Sequence, residues 1–278
     1  MPKLTTILAA TDFSESAENA VDYAAALAVK CQAALVILSA YHVPLVASEV
    51  PTLMFTLSEL EKEGLDQLKE TEARIKKNNP GLKSVELLCL HGFAGETIRT
   101  QAEKLKANIV VMGLQGSGFF NEKVIGSNAY EMVSECSCPV MIVHHQLKYS
   151  PIKRILFAID NKEIKSLRLL DPLKTLASLF EAELFLLHVN KDQRSLPGLE
   201  AAVGGVTLDH YLEGLKHNFY EITAPTLTEG LNAFAKEHQI DLSVAFARHH
   251  GFFESLFRKN NVQNMIYHIH TPILTIHE

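Results

Sequence analysis

Ile109-Val110-Val111-Met112-Gly113-Leu114-Gln115-Gly116-Ser117 runs on to Gly126-Ser127-Asn128, an apolar stretch of strand length followed by Gly-x2-Gly-x9-Gly-Ser. An apolar, β-branched run without polar alternation reads as a buried strand, and Ser127 to Glu135 reads as the start of a helix. Three glycines let backbone approach a ligand closely and reach φ > 0. A strand that feeds a loop and then a helix aims free N–H groups and the positive end of the helix dipole at one point. That arrangement suits an anion, and a phosphate chain best of all. On the competing account, Gly113 and Gly116 only turn the chain and Gly126 only begins a helix; spacing alone does not separate the two.

Outward from this stretch, strands and helices alternate. Leu4 to Ala10 reads as a buried strand, with Asp12 or Ser14 as the cap of a helix whose Ala17, Ala20, Val21, Ala24, Leu27 and Ala28 recur at helical spacing to about Lys30. Ala34 to Tyr41 is a second buried strand, and Pro44 to Pro51 an apolar loop. A charged amphipathic helix follows from Leu57 to about Asn78, stopped by Asn79-Pro80-Gly81. Val85 to Leu90 is strand three, Gly95 to Lys106 helix, Ile109 to Met112 strand four and Val140 to His144 strand five. Such alternation implies a parallel sheet covered on both faces.

The segment IVVMGLQGSGFFNEKVIGSNAYEMVSECSCPVMIVH, residues 109 to 144, resembles the C-terminal half of a universal stress protein domain. The opening Ile7-Leu8-Ala9-Ala10-Thr11-Asp12-Phe13-Ser14, a strand ending in Asp and Ser before an alanine-rich helix, resembles the same family. The resemblance implies an α/β, doubly wound, Rossmann-like sheet of five parallel strands in the order 3-2-1-4-5. Strands one and four are then neighbours where the winding reverses, the point at which such sheets bind ligands beyond their carboxyl ends.

In that family the ligand is ATP, and the resemblance assigns roles to matching positions. Ala10 and Thr11 would flank the adenine or ribose, and Asp12 would accept hydrogen bonds from the ribose hydroxyls. Ala40 would offer backbone to the base, and Met112 would pack near it. Gly113, Gly116 and Ser117 would supply phosphate-facing backbone, and Gly126, Ser127 and Asn128 the helix-start donors. Gln115 and Ser117 stand where many members carry a basic or imidazole side chain, which implies modest phosphate affinity. ATP, with or without magnesium, is the expected cofactor. The plain alternative for Asp12 is an unliganded helix cap.

No Gly-x4-Gly-Lys-[Ser/Thr] occurs, so the lysine and metal-binding hydroxyl of a P-loop are missing. The reading is a nucleotide-binding stress-response or signalling protein with no catalytic residue assigned; slow hydrolysis is left open. An adenylating ligase would carry His-Ile-Gly-His or Ser-Gly-Gly-x-Asp-Ser signatures, which are absent. The alternative is a nucleotide-free or metal-binding dimeric interaction scaffold.

The second half repeats the first. Ile155 to Asp160 matches Ile7 to Asp12 148 positions later, and Gly251-Phe252-Phe253 matches Gly118-Phe119-Phe120 at 133, so the first copy is about fifteen residues longer in its middle. Self-similarity at this length indicates tandem duplication, with domains at 1–147 and 151–278. In the second copy Gly113 becomes Phe246, Gly116 becomes His249, Gly126 becomes Lys259 and Ser127 becomes Asn260. Phe246 is expected to fill the cleft, leaving one nucleotide per chain.

The 278 residues, 47% hydrophobic, can bury two cores. A net charge of −6 without a basic face argues against nucleic acid and membrane-surface roles, and no apolar run approaches the ~20 residues of a membrane span. The N-terminus shows no cleavage pattern and the four cysteines suit a reducing compartment, so a cytoplasmic location is expected. Cys136-Ser137-Cys138 is too closely spaced for a usual zinc site. Of thirteen histidines, His144-His145, His249-His250 and His268 with His270 cluster without the i, i+4 spacing of a helical ligand pair, so no metal ligand is assigned. Val140 to Val143 and Ile273 to Ile276 would be apolar sheet edges. The resemblance implies antiparallel pairing of such edges, joining the two halves as an internal pseudo-dimer and two chains as a homodimer.

Overall fold

The computed structural model describes residues 3–42, 56–114, 126–159, 164, 166–190, 205–247 and 271–277. Its first half runs β1 (Thr6–Ala10), α1 (Glu15–Cys31), β2 (Ala34–Tyr41), α2 (Leu57–Asn78), β3 (Val85–His91), α3 (Ala94–Lys104), β4 (Ile109–Gly113), α4 (Ser127–Glu135) and β5 (Val140–Val143). Helix α1 begins at the Ser14 cap, whose Oγ accepts the Ala17 N–H, carries Glu15 and Glu18 at its positive end, and stops where Gln32 turns left-handed at φ 55°. Its alanine-rich face buries Ala20, Val21, Ala24, Leu27 and Ala28 against the sheet; full burial of Leu27 alone contributes about 2 kcal/mol. Helix α2 opens with a capping box between Thr56 and Glu59.

The second half repeats this plan: β6 (Arg154–Ile159), a 3-10 turn (Leu167–Leu170), α5 (Asp171–Phe180), β7 (Glu183–Asn190), α6 (Gly205–Tyr211), β8 (His217–Thr223), α7 (Leu227–Glu237), β9 (Leu242–Ala247) and β10 (Ile273–His277). Among the described residues, ten strands form one sheet in the order β3-β2-β1-β4-β5-β10-β9-β6-β7-β8. Each half thus has the order 3-2-1-4-5, parallel throughout, and the halves meet where β5 and β10 pair antiparallel, Leu274 opposite Met141. The buried Thr275 hydroxyl donates to the Val140 carbonyl at 3.1 Å across that seam.

The internal pseudo-dimer is therefore realised. It corrects the expectation that fifth-strand edges join two chains: each is consumed by the other within one chain, and the sheet's outer edges are β3 and β8.

Small details recur between halves. Glu181 ends α5 left-handed at φ 52° as Gln32 ends α1. Asn108 Oδ1 accepts the Thr5 and Thr6 N–H groups, and Asp241 Oδ2 accepts those of Lys153 and Arg154. Strand alternation divides the core into two layers. Ile7, Ala9, Ile109 and Val111 face α1 and α2, and Leu8, Ala10, Val110 and Met112 face α3 and α4. Among the described residues, no helix is long and apolar enough to cross a membrane.

Candidate functional site

The chain winds outward from β1 through β2 to β3 on one side and from β4 to β5 on the other, so the reversal lies between β1 and β4, paired with Ile7 opposite Ile109 and Ala9 opposite Val111. Their carboxyl ends bring together the two stretches singled out in the sequence. At the exit of β1, the Thr11 N–H donates to the Leu38 carbonyl at 2.9 Å and its buried hydroxyl accepts the Phe13 N–H at 3.0 Å. Phe13 sits at φ 62°, a conformation that costs a non-glycine residue free energy. The exposed Asp12 accepts from the Ser14 N–H at 3.1 Å and the Ser14 hydroxyl at 2.6 Å. Ser14 is thus the helix cap and Asp12 its buttress, held at the crevice mouth.

Ala10, Met112 and Leu114 lie buried on the α3 and α4 face, and Ala40, at the end of β2, packs against the same cluster. Small side chains at Ala10 and Ala40 beside the longer Met112 make an apolar wall at the strand ends. Gly113 points the other way. A Cβ there would meet Ser16, so the glycine lets the first turn of α1 seat against β4. The sequence reading linked Gly113 to phosphate approach; its bare Cα also answers to helix packing.

The Gly126 N–H donates to the Leu114 carbonyl at 2.9 Å, which brings the start of α4 back to the exit of β4. Gly126 is the N-cap of α4 with φ −62° and ψ 144°, extended rather than left-handed. Any residue could adopt that backbone; what glycine leaves out is a side chain beside the first N–H groups of α4, which no cap side chain satisfies. Ser127 and Asn128 in that turn are exposed. Gly116 and Ser117 lie outside the described residues. The structure thus brings Ala10, Thr11, Asp12, Ala40, Met112, Gly113, Gly126, Ser127 and Asn128 to the carboxyl ends of β1, β2 and β4.

Sequence reasoning missed Glu18, which accepts the Thr11 hydroxyl at 3.2 Å. Its place in the first turn of α1, seven residues on, carries no motif, and its other partners lie 53 and 56 residues away.

In the second half, Phe246 has the position of Gly113, and its ring turns to the face opposite the one that holds Ala158 and Ala245. It is buried on the face covered by α5, edge-on to Phe157 with ring centroids 5.4 Å apart. Strand parity sets that direction: Leu242, Val244 and Phe246 share one face. Phe246 takes the space that Gly113 leaves open for Ser16, and α5 begins only at Asp171, beyond the positions matching the first two turns of α1. Asp160, His249, Lys259 and Asn260 lie outside the described residues. All four cysteines are free thiols. Among the described residues, no group of three or more His, Cys, Asp or Glu side chains is placed to hold a metal ion.

The sequence profile described as Universal stress protein family matches residues 3–144. A Thermus aquaticus protein described as "Universal stress protein in QAH/OAS sulfhydrylase 3′ region" is 30% identical over 141 residues, covering 50% of this chain and 97% of that protein. Among solved structures, a universal stress protein from Archaeoglobus fulgidus superposes over 99% of this chain and 97% of its own with a TM-score of 0.71 at 17% identity. A putative universal stress protein from Pseudomonas aeruginosa covers 99% and 93% with a TM-score of 0.58 at 14% identity. These two likenesses carry the fold, the profile carries the family, and the chain belongs to the universal stress protein family.

Proposed function

We propose that this universal stress protein binds one adenine nucleotide, ATP, in the crevice between β1 and β4, and acts as a nucleotide-dependent stress-response or signalling protein. The observation that carries the reading is the Gly126–Leu114 hydrogen bond, which brings the uncapped start of α4 back to the exit of β4, the neighbour of β1, where Ala10, Ala40 and Met112 form the apolar wall. An apolar slot suits a base, an exposed carboxylate suits ribose hydroxyls, and helix-start N–H groups suit phosphates. Magnesium would reach the site with the phosphates. Without a P-loop lysine, any hydrolysis in the crevice is expected to be slow. The repeats 1–147 and 151–278 act as two domains, the second structural or adapted to another task.

The rival reading, a nucleotide-free scaffold, draws on Asp12, whose carboxylate is already engaged by Ser14. One comparison decides. Mass spectrometry of nucleotide released from the purified chain should show an adenine nucleotide, and Gly126→Val should weaken binding of a fluorescent ATP analogue at least tenfold while the fold survives, because φ −62° suits valine. Equal binding before and after the substitution would place any nucleotide elsewhere.

A further inference from the structure

We propose that Glu18, held from α2 by Arg74 and Thr71, is the positioning residue that sets the Asp12 turn at the nucleotide crevice, a role that rests on the nucleotide reading above. Glu18 joins three parts of the chain. One carboxylate oxygen accepts the Thr11 hydroxyl at 3.2 Å; both lie 3.3 Å from the Thr71 hydroxyl, and Arg74 pairs with the other while also pairing with Asp22. Thr11 and Thr71 are buried, and the Glu18 and Arg74 side chains are largely covered. A charged, partly desolvated acceptor with this many donors is geometrically demanding, since removing one donor leaves the rest of the cluster under-satisfied.

The hydroxyl of Thr11 is where this cluster meets the site. Its single hydrogen goes to Glu18, which turns an oxygen lone pair toward the Phe13 N–H. That bond holds Phe13 at φ 62°, and the left-handed residue is what reverses the chain so that Asp12 reaches Ser14 and stands at the crevice mouth. Without Glu18 the Thr11 hydroxyl is free to rotate, and nothing else in the described structure keeps its lone pair on Phe13.

The repeat supplies an independent observation. Thr11 corresponds to Ile159 and Glu18 to the exposed Ser166, so the second half lacks the hydroxyl at the first position and the carboxylate at the second. The half that replaces Gly113, Gly126 and Ser127 has also replaced the pair that shapes the turn.

The test reads two properties of the full chain: hydrogen exchange of the Phe13 amide without ligand, referenced to the Leu27 amide in the buried face of α1, and ATP affinity by calorimetry. Glu18→Ala should speed Phe13 exchange at least tenfold relative to Leu27 and weaken ATP at least fivefold. Glu18→Gln, which keeps an acceptor, should recover most of both. Asp22→Ala, which removes the other partner of Arg74 without touching Thr11, should leave both within twofold. An unchanged Phe13 amide in Glu18→Ala, or an equal effect of Asp22→Ala, overturns the positioning role. A native chain that binds no ATP overturns the nucleotide reading instead, and the exchange measurement still decides whether Glu18 sets the turn. Should Glu18→Ala fail to fold, Arg74→Met is read on the same two measurements, and no change in either counts against the proposal.

Discussion

A Cβ on Gly113 would stand 2.7 Å from the Ser16 hydroxyl oxygen and 2.8 Å from the Ser16 carbonyl carbon and oxygen. Two of those three atoms are helix backbone, which cannot swing aside as a side chain can. The glycine is therefore part of how α1 seats on β4, whatever else it does for a ligand.

Gly113→Ala is expected to destabilise the fold by about 1–3 kcal/mol, the usual cost of overpacking a dense interior. Urea unfolding should show a lower midpoint at unchanged slope. A midpoint equal to that of the native chain would mean that α1 has room to retreat and that packing does not demand the glycine.

Calorimetric titration with ATP should saturate at one equivalent per chain. The second half places Phe246 at the Gly113 position and begins α5 at Asp171, so the turn and helix start that frame the first crevice have no counterpart there among the described residues. Two equivalents, or binding retained in full by a Gly126→Val chain, would refute the single site.

Thr275→Val removes a buried hydroxyl that donates to the Val140 carbonyl while keeping shape and β-propensity. A loss of about 0.5–1.5 kcal/mol is expected. Because β5 and β10 belong to one chain, thermal midpoints of both proteins should be independent of protein concentration. A midpoint that climbs with concentration would mean that the seam forms between chains.

Burial pushes the Cys31 and Cys138 thiols up to about 12 from an ordinary 9.0. Tyr149, raised to about 12 by burial and then by the nearby Cys31 charge, follows the same direction. A raised value means that the folded chain keeps protons which the unfolded chain releases, so this stabilisation is complete below about pH 9 and is lost as pH rises toward 12. Urea midpoints should therefore fall steadily from pH 9 to 11, and the thiols of the native chain should react slowly with an aromatic disulfide at pH 8. Rapid labelling of four thiols under native conditions would contradict the burial.

Much of the fold was legible along the chain because its signals are local. The β-branched run at 109–112, the Ser14 cap and the break at Asn79-Pro80-Gly81 placed elements within about two residues of where they lie; α3, for example, spans Ala94–Lys104 against an expected Gly95 to Lys106. The adjacency of β1 and β4, which brings the Asp12 and Gly113 strand ends together, was legible through the family resemblance. The Glu18 cluster was not, because Thr71 and Arg74 reach it from α2, more than fifty residues on. Nor was the direction of Phe246: alternation along a strand tells which residues share a face, but not which helix covers it.

Periodicity and the duplicated motifs were enough to indicate alternating strands and helices, a parallel sheet and its repetition, because each depends on neighbours a few residues apart; the doubly wound strand order came from the family resemblance. Long-range packing had to specify the rest: the register in which Leu274 meets Met141, that Gly113 makes room for Ser16, and that Glu18 turns Thr11 toward Phe13. These depend on which surfaces meet after the chain has folded, and contacts between residues far apart in sequence leave no periodic trace in it.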